Sequence, residues 1–334
     1  AGAADAGGAL PTRGCALPMR DGRRQRGVGT SASVGRRAPW VGALSGAHIN
    51  IFLGVIVLNE VDLKLRIKAA VEDARAKNPM APSITNTVTQ DFVANAQLAV
   101  GGSAAMLYLP DECEAIASIA PAVYINMGTA FPFYAETLPR MIRALDANDT
   151  PWVLDPVGIG MSTLRTELLH QMKNFPPTIV RGNASEIIAV ARLWGLIDAQ
   201  SIGKVRGVDA TDDVESARSA AIALARHIDG AVAVSGPDDL ITDGKSIAYS
   251  SGGSPLMTKI TGGGCSLGGV MAVYLAVTDP FTAAVTASAA FNAAGVFAAS
   301  NTTAPASFKV AFLDALYENS AHIVVTNALR LEEI

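Results

Sequence analysis

The sequence predicts an α/β fold in which a mostly parallel central sheet carries helices on both faces. From about residue 62 onward, short apolar runs bounded by Pro, Gly or charged residues alternate with segments of helical length. Such runs are typical of strands buried on both faces. Alternation of strand and helix favours parallel pairing, because a parallel connection has to cross back over the sheet. The predicted strands are residues 122–125, 152–154, 178–180 and 231–234.

The remaining periodic segments are predicted to be helices. Asp62 is the candidate cap of the first helix, which is expected to end at Asn78. The pair Asp243-Gly244 predicts a hairpin turn into residues 246–249. The other predicted helices are residues 132–147, 161–172, 184–194, 213–228 and the apolar stretch from the glycine-rich run 261–266 to about 277.

Composition limits the classes of function. Of the 334 residues, 50% are hydrophobic and 17% are charged, so most of the chain can bury a large core. The net charge of -4 provides no broad basic surface, and small molecules are therefore expected as partners rather than nucleic acid. The three cysteines and four histidines are scattered, which argues against a disulfide framework or structural zinc and favours a reducing compartment. We expect a cytoplasmic protein.

The N-terminal part differs from the rest. Residues 1–47 are rich in Gly, Ala and Arg and lack apolar periodicity, so they are predicted to be a disordered extension. Residues 48–61 are an uncertain connection, and residues 62–334 are predicted to form a single domain. An organellar transit peptide is an alternative interpretation of the Arg-rich segment. The apolar run 51–58 is shorter than the about 20 residues that span a bilayer, and no membrane segment is predicted.

The run Thr261-Gly-Gly-Gly-Cys265-Ser is the candidate anion-binding loop. Glycines before a helix expose backbone N–H groups at the positive end of the helix dipole, and no β-carbon keeps a ligand away. Cys265 lies at the mouth of this loop. The dipole is expected to lower the pKa of its thiol, so that some thiolate exists near neutral pH. The alternative is a flexible loop followed by a buried cysteine.

Polar side chains also follow three of the predicted strands, where ligands of parallel sheets bind. Asp155 follows strand 152–154 and is placed for a metal ion. Ser235 follows strand 231–234 and is either a nucleotide contact or a turn residue.

The remaining strand of the three, 178–180, is followed by Arg181, Asn183 and Glu186. The planar guanidinium of Arg181 suits a polyphosphate, and Asn183 is a further candidate nucleotide contact. Glu186 is a candidate ligand of Mg²⁺. Asn183 and Glu186 also have the spacing of a helix capping box, which is compatible with either role.

Six motifs, in this order and spacing, resemble the motif set of the hydroxyethylthiazole kinase family over roughly residues 62–320. The motifs are residues 85–95, 101–106, 125–129, 154–158, 181–186 and 261–265. The resemblance implies a ribokinase-like fold and the ATP- and Mg²⁺-dependent phosphorylation of the primary hydroxyl of 4-methyl-5-(2-hydroxyethyl)thiazole in thiamine biosynthesis or salvage. It also implies a homotrimer with active sites between subunits.

The resemblance also implies roles for individual residues. Arg181, Asn183 and Ser235 would bind ATP, while Asp155 and Glu186 would serve Mg²⁺.

The thiazole site would be lined by Met106 and Gly262, with Asn86 reaching it from a neighbouring subunit. Cys265 stands where related enzymes place a base, and the backbone amides of the loop would form an anion hole. The implied catalytic residues are Gly262, Gly263, Gly264 and Cys265.

Three departures from the family pattern stand out. Residues 262–264 read Gly-Gly-Gly where Gly-Thr-Gly is common, residues 235–237 read Ser-Gly-Pro where Thr-Gly-Glu is usual, and residues 304–306 read Ala-Pro-Ala where Gly-Pro-Gly is usual. Gly263 in place of Thr is expected to loosen the loop and to raise the apparent substrate constant.

Three alternatives remain at this point. A ribokinase-like kinase for hydroxymethylpyrimidine or pyridoxal would share the fold, but it would not explain the segment from Asn86 to Met106. A homologue that binds thiazole or nucleotide without turnover is the second alternative. The third is a hydrolase that uses Cys265 as a covalent nucleophile, which requires a base such as His, and no His lies near Cys265 in the sequence.

Overall fold

The computed structural model describes residues 58–198 and 214–334. The predicted disordered extension 1–47, residues 48–57 of the predicted connection and the start of the helix predicted at 213 lie outside the described residues. The described strands are β1 Met80–Ile84, β2 Ser103–Met106, β3 Val123–Asn126, β4 Trp152–Asp155, β5 Ile179–Asn183, β6 Ala231–Ser235, β7 Asp238–Thr242, β8 Ser246–Ser251 and β9 Leu329–Glu333.

Eleven α-helices accompany these strands within the described residues: α1 Glu60–Lys77, α2 Gln90–Ala99, α3 Pro110–Ala117, α4 Tyr134–Ala147, α5 Thr163–Met172, α6 Ala184–Leu193, α7 Arg218–Ile228, α8 Gly263–Leu275, α9 Pro280–Asn301, α10 Pro305–Glu318 and α11 Ala321–Val325. Two short 3₁₀ helices, Val214–Ala217 and Pro255–Lys259, precede α7 and α8.

The strands form one sheet in the order β2-β1-β3-β4-β5-β6-β7-β8-β9. Strands β1 to β6 pair in parallel, whereas β7, β8 and β9 are added in antiparallel pairing. The predicted mostly parallel sheet is thus confirmed, and so are the four predicted strands, which correspond to β3 to β6. The predicted hairpin joins β7 to β8, with the backbone N–H groups of Lys245 and Ser246 donating to the carboxylate of Asp243.

Helices cover both faces of the sheet, as predicted. Successive residues of the central strands alternate between two core clusters: Tyr124 and Val153 belong to one, and Ile125 and Leu154 belong to the other. This alternation follows from the two-residue period of a strand. Residues of α1, α2 and α8 to α11 fill the first cluster, and residues of α3 to α7 fill the second.

The start of the first helix corrects one prediction. Helix α1 begins at Glu60, and its cap is Asn59 rather than Asp62. The side-chain oxygen of Asn59 accepts the backbone N–H of Asp62 at 2.9 Å, which is the bond that a capping side chain makes to the first turn. Asp62 therefore lies inside the helix, and its acidic side chain in the first turn favours the helix dipole.

Helix α9 is long and apolar enough to cross a membrane when judged by length and composition alone, and it is the one such helix among the described residues. However, 78% of its most apolar 18-residue window is buried inside the protein. It contacts α8, α10 and several strands, so its apolar surface is covered by the domain itself. We interpret α9 as a core helix.

Candidate active site

The carboxyl ends of the central parallel strands bring polar residues from distant parts of the chain together. Asn126 ends β3 and is paired in register with Asp155, which ends β4. Ser235 ends β6, next to β5, which carries Arg181. These residues therefore meet at one edge of the sheet, where a parallel α/β fold binds its ligands.

Asp155 is the centre of this group. Its side chain is fully buried, and Oδ2 accepts hydrogen bonds from Arg181 Nη1 at 2.9 Å and from Asn126 Nδ2 at 2.8 Å. The hydroxyl of Tyr124 lies 3.0 Å from the same oxygen. The other oxygen, Oδ1, is buried and has no hydrogen-bond partner within the described residues. An unpaired buried carboxylate oxygen is costly, so Oδ1 is a candidate atom for binding a ligand.

Arg181 connects Asp155 to the next strand. Its Nη2 donates to Ser235 Oγ at 2.8 Å, and its side chain is 6% exposed. Burial alone would lower the pKa of Arg181, but the neighbouring Asp155, Tyr124 and Glu186 hold it above its ordinary value, so the guanidinium is charged. A β-carbon on Gly264 would lie only 3.4 Å from Arg181 Nη1, so the guanidinium lies against the glycine-rich loop.

The glycine-rich loop forms the start of α8. Gly262 is the N-cap with φ of +93°, a left-handed conformation that favours glycine, and a β-carbon there would meet Thr89 and Phe92 at 3.0–3.1 Å. Helix α8 begins at Gly263, so only one of the three glycines precedes the helix and two lie in its first turn. Because Gly262 has no side chain, no capping hydrogen bond from the N-cap residue satisfies the first turn of α8. The first-turn amides of α8 have no intrahelical acceptors, and this turn lies beside Arg181, so it is a candidate anion-binding site.

Cys265 lies in this first turn, and its environment overturns one expectation. Burial and the charge of Asp155 raise the pKa of the thiol to about 11, although Arg181 and hydrogen bonds from Asn126 and Asn86 act in the opposite direction. The predicted thiolate near neutral pH is therefore wrong, because loss of solvent around the sulfur outweighs the helix dipole. Cys265 is a neutral thiol at pH 7.

Asn86 reaches Cys265 within the same chain. It follows β1, which pairs with β3, and its Nδ2 lies 3.3 Å from Cys265 Sγ and 3.3 Å from Asn126 Oδ1. The carboxyl end of β1 therefore delivers Asn86 directly to the loop. This contact forms within one chain, and the contribution of Asn86 to a neighbouring subunit's thiazole site stays a prediction.

The comparisons with known proteins fit this geometry. The sequence model of the Hydroxyethylthiazole kinase family matches residues 71–322. The hydroxyethylthiazole kinase of Bifidobacterium adolescentis is 50% identical over 275 residues, which cover 79% of this chain and 94% of that protein. This chain belongs to the hydroxyethylthiazole kinase family.

Solved structures agree with the family assignment. The structure of the hydroxyethylthiazole kinase protein from Pyrococcus horikoshii is 29% identical and superposes with a TM-score of 0.72, covering 80% of this chain and 99% of that chain. A ribokinase-like superfamily protein from Enterococcus faecalis is 14% identical with a TM-score of 0.52, covers 81% of this chain and 99% of that chain, and shows the fold alone. The ribokinase-like α/β fold of this family member is therefore confirmed.

In this member of the hydroxyethylthiazole kinase family, Asn183 and Glu186 form the capping box that their spacing predicted. Asn183 Oδ1 accepts the Glu186 N–H at 2.9 Å, and Glu186 Oε2 accepts the Asn183 N–H at 3.0 Å. Burial and the charge of Asp155 raise the pKa of Glu186. A β-carbon on Gly182 would lie 3.2 Å from Glu186 Oε2, so the strand backbone approaches this carboxyl closely.

The two carboxyl groups fit a magnesium ion. No group of three or more His, Cys, Asp or Glu suited to a metal occurs in the described parts of the chain. Mg²⁺ in kinases, however, usually takes one or two carboxylates and completes its shell with water and phosphate oxygens. A cation bound here would supply a partner for Oδ1 of Asp155 and would reduce the repulsion between Asp155 and Glu186.

Met106 and Tyr124 also lie at or near this edge of the sheet. Met106 is half-buried at the carboxyl end of the edge strand β2, in register with Ser83 of β1, so it lies at the same edge of the sheet as Asn86. Tyr124 is a site residue that the sequence predictions missed. Its hydroxyl lies 2.7 Å from the Cys265 carbonyl oxygen as well as 3.0 Å from Asp155, and its two-residue offset from Asn126 on β3 is the signal that places both on one face.

Proposed function

We propose that this chain transfers the γ-phosphoryl group of ATP to the primary hydroxyl of 4-methyl-5-(2-hydroxyethyl)thiazole, a step of thiamine biosynthesis or salvage. One observation carries this proposal: the first turn of α8, whose amides are not capped by a side chain, lies beside the charged Arg181, which binds Asp155, an acid with one unpaired oxygen. This arrangement suits the negative charge of a phosphoryl group in transfer. The family of the chain supplies the substrate class.

ATP is proposed to lie with its phosphates over Arg181, Asn183 and Ser235. Arg181 is held by Asp155 and Ser235, so its guanidinium is oriented before the nucleotide arrives. Its Nε is buried and has no partner in the described residues, which leaves a donor for the ligand. Orientation in advance lowers the entropy that binding has to overcome.

Asp155 and Glu186 are proposed to hold Mg²⁺, which would neutralise negative charge on the phosphates. The raised pKa of Glu186 makes this binding dependent on pH, because a protonated carboxyl is a poor ligand.

Cys265 is proposed to contact the substrate hydroxyl, with Asn86, Met106 and Gly262 around the thiazole. In the reaction the substrate oxygen forms a bond to the γ-phosphorus, the bond from that phosphorus to the bridging oxygen of ADP breaks, and the hydroxyl proton is released. The transition state is loose, so early removal of the proton is not required and a neutral thiol suffices to orient the hydroxyl. The charge of Asp155 raises the pKa of the Cys265 thiol, so a cation bound at Asp155 would lower that pKa.

The test is an assay of the full chain with hydroxyethylthiazole and ATP, with and without Mg²⁺. We expect thiazole phosphate and ADP in equal amounts, formed only with the metal ion. Hydroxymethylpyrimidine and pyridoxal serve as competing substrates, and preferential phosphorylation of either would contradict the thiazole assignment. Nucleotide binding without ADP formation would instead indicate a homologue that has lost turnover.

Replacement of Cys265 tests the role of the thiol. We expect Cys265→Ala to lower kcat by about 100-fold, the scale of losing the orientation of the reacting hydroxyl, while the Kd for MgATP stays within about twofold. Cys265→Asp retains activity if the side chain accepts the proton. Thermal unfolding of both variants is the control: loss of folding in both would support a packing role for the cysteine.

The homotrimer and the cytoplasmic location are also part of the proposal. Light scattering of the purified chain measures the oligomeric state directly. The Asn86 contact with Cys265 forms inside one chain, so dissociation of an oligomer should leave this part of the site assembled.

A further inference from the structure

Asn292 is a polar residue in the middle of the alanine-rich helix α9, and it is not among the residues proposed to bind ATP, Mg²⁺ or thiazole. Its Nδ2 donates to Ser250 Oγ at 2.9 Å and to the Ser250 carbonyl oxygen at 3.1 Å, and it lies 3.3 Å from Asp239 Oδ2. A polar side chain in a core helix is retained when its partners need it, because burial of an amide is unfavourable without hydrogen bonds.

Asp239 carries this connection toward the active site. It lies in β7, is 6% exposed, and its Oδ1 accepts the backbone N–H of Gly236 at 3.0 Å. Gly236 directly follows Ser235, the residue that accepts a hydrogen bond from Arg181. The carboxylate therefore fixes the backbone next to a proposed ATP contact, and Asn292 in turn holds the carboxylate.

Asn292 also holds a second segment that leads into the site. Its backbone carbonyl accepts the N–H of Gly253 at 3.0 Å. One turn further along α9, a β-carbon on Gly295 would lie 2.8 Å from the Gly253 Cα, so the helix and this segment are in close contact. From Gly253 the chain continues through the 3₁₀ helix Pro255–Lys259 to Gly262, the cap of the anion-binding loop.

We propose that Asp239 and Asn292 are positioning residues that hold the Ser235 turn in the conformation required for binding the phosphates of ATP. This inference rests on the proposed function, because it assumes that Ser235 and Arg181 contact the nucleotide. Neither Asp239 nor Asn292 is placed in contact with the substrate. Both act through Gly236 and Ser235.

The protonation state of Asp239 supplies a distinctive readout. Burial raises the pKa of Asp239 to about 6, although the Gly236 N–H, Arg181 and Asn292 act in the opposite direction. The charged groups that face it are Arg181 from β5 and Asp238 from its own strand, while its partners on α9 and β8 are uncharged. Protonation of the Asp239 carboxylate turns an oxygen that accepts a hydrogen bond from the Asn292 amide into a hydroxyl that donates. The contact between Asp239 and Asn292 therefore weakens below about pH 6.

The experiment measures the Kd for MgATP by calorimetry and the KM values for ATP and thiazole of four full-length proteins: wild type, Asn292→Ala, Asp239→Asn and Asn327→Ala. At pH 8 we expect Asn292→Ala and Asp239→Asn to raise the Kd and KM for ATP by about tenfold, the effect of losing one hydrogen bond to a charged group. The KM for thiazole should stay within about twofold.

Asn327→Ala is the matched control. Asn327 donates to the same Ser250 Oγ at 3.0 Å, but within the described residues its Nδ2 contacts only Ser250 and Ala328 and not the Ser235 turn. Its loss should therefore leave the Kd for MgATP within about twofold if the Asp239 link determines ATP binding. Thermal unfolding of each variant establishes that it is folded.

The pH series separates positioning from a general loss of structure. As pH falls from 8 to 5.5, the ratio of the Asp239→Asn Kd to the wild-type Kd should fall toward one, because wild-type Asp239 becomes protonated itself. Taking the ratio removes the titration of ATP. Equal effects of Asn292→Ala and Asn327→Ala, equal changes in both KM values, or a ratio independent of pH would overturn the inference. Absence of thiazole phosphorylation by the wild type would instead overturn the proposed function, and the calorimetric comparison would still decide the inference.

Discussion

Asp155 and Asp239 are two buried carboxylates near the same guanidinium, and they differ in how their oxygens are satisfied. Asp155, in the parallel part of the sheet, has three hydrogen-bonding partners on Oδ2, whereas no described residue is a partner for Oδ1. Asp239, in the antiparallel part, has one partner on each oxygen. Asp155 thus keeps one oxygen without a partner among the described residues, whereas both oxygens of Asp239 are hydrogen-bonded within the protein.

The topology accounts for this difference. In the parallel part, neighbouring strands all end at the same edge, so their terminal residues face a shared space beyond the sheet. In the antiparallel part, each strand begins where the preceding one ends, and the local turns supply partners such as the Gly236 N–H. A buried acid is thus directed to a ligand in one region and to the backbone in the other.

The largest expected effect comes from removing the charge of Asp155. We expect Asp155→Asn to lower kcat/KM by at least about 1000-fold, because it removes the proposed metal ligand and the charged partner of a buried guanidinium. Steady-state kinetics with hydroxyethylthiazole measures this loss. Asp239→Asn is the comparison variant, and a loss of similar size in both would contradict the distinction between the two carboxylates.

The stability of the fold should respond to Asp239 in a defined range of pH. The pKa of Asp239 is raised from 3.8 to about 6 in the folded protein, so between these values the folded state binds a proton that the unfolded state does not. This group therefore contributes a decrease in the free energy of unfolding as pH rises from about 4 to 6, on the order of 2–3 kcal/mol in total. Above this range the penalty is complete.

Denaturant unfolding of wild type and Asp239→Asn at several pH values measures this contribution. The difference in free energy of unfolding between the two proteins should shift in favour of the variant as pH rises, because the variant has no carboxylate to desolvate. A difference that is constant from pH 4.5 to 8 would contradict the raised pKa.

The sequence predicted the parallel half of the molecule better than its edges. Strands β3 to β6 are short, apolar and bounded by turn residues, so their pattern is visible locally. Strands β1 and β2 escaped prediction because their sequences, MAPSI and SAAM, consist mainly of small residues whose burial depends on neighbouring helices.

The site shows the same limit. Asp155, Arg181 and Cys265 are predictable because each lies near the end of a strand or in the first turn of a helix. The interaction of Tyr124 is not, since its hydroxyl partners lie 31 and 141 residues away in the chain. The pKa of Cys265 was predicted in the wrong direction because desolvation is a property of the packed site and has no local signal.

The smallest expected effect comes from removing the hydroxyl of Tyr124, which lies next to the carboxylate of Asp155. Tyr124 is fully buried, and burial, followed by the charge of Asp155, raises the pKa of its hydroxyl, so the group stays protonated and able to donate. Gly268 leaves room for the ring, since a β-carbon there would lie 2.3 Å from it. We expect Tyr124→Phe to cost about 1–2 kcal/mol in free energy of unfolding, the scale of a lost hydrogen bond, because the link between α8 and β4 disappears.

The same variant should lower kcat about tenfold or less while the KM for ATP changes little, because Arg181 keeps its own bonds to Asp155 and Ser235. Denaturant unfolding and steady-state kinetics provide the two measurements. If Tyr124→Phe were as damaging to kcat as Asp155→Asn, the hydroxyl would be part of the reacting group rather than its support. Tyr124 would then belong with Asp155 among the residues that contact the reacting groups, and not among the residues that hold Asp155 in place.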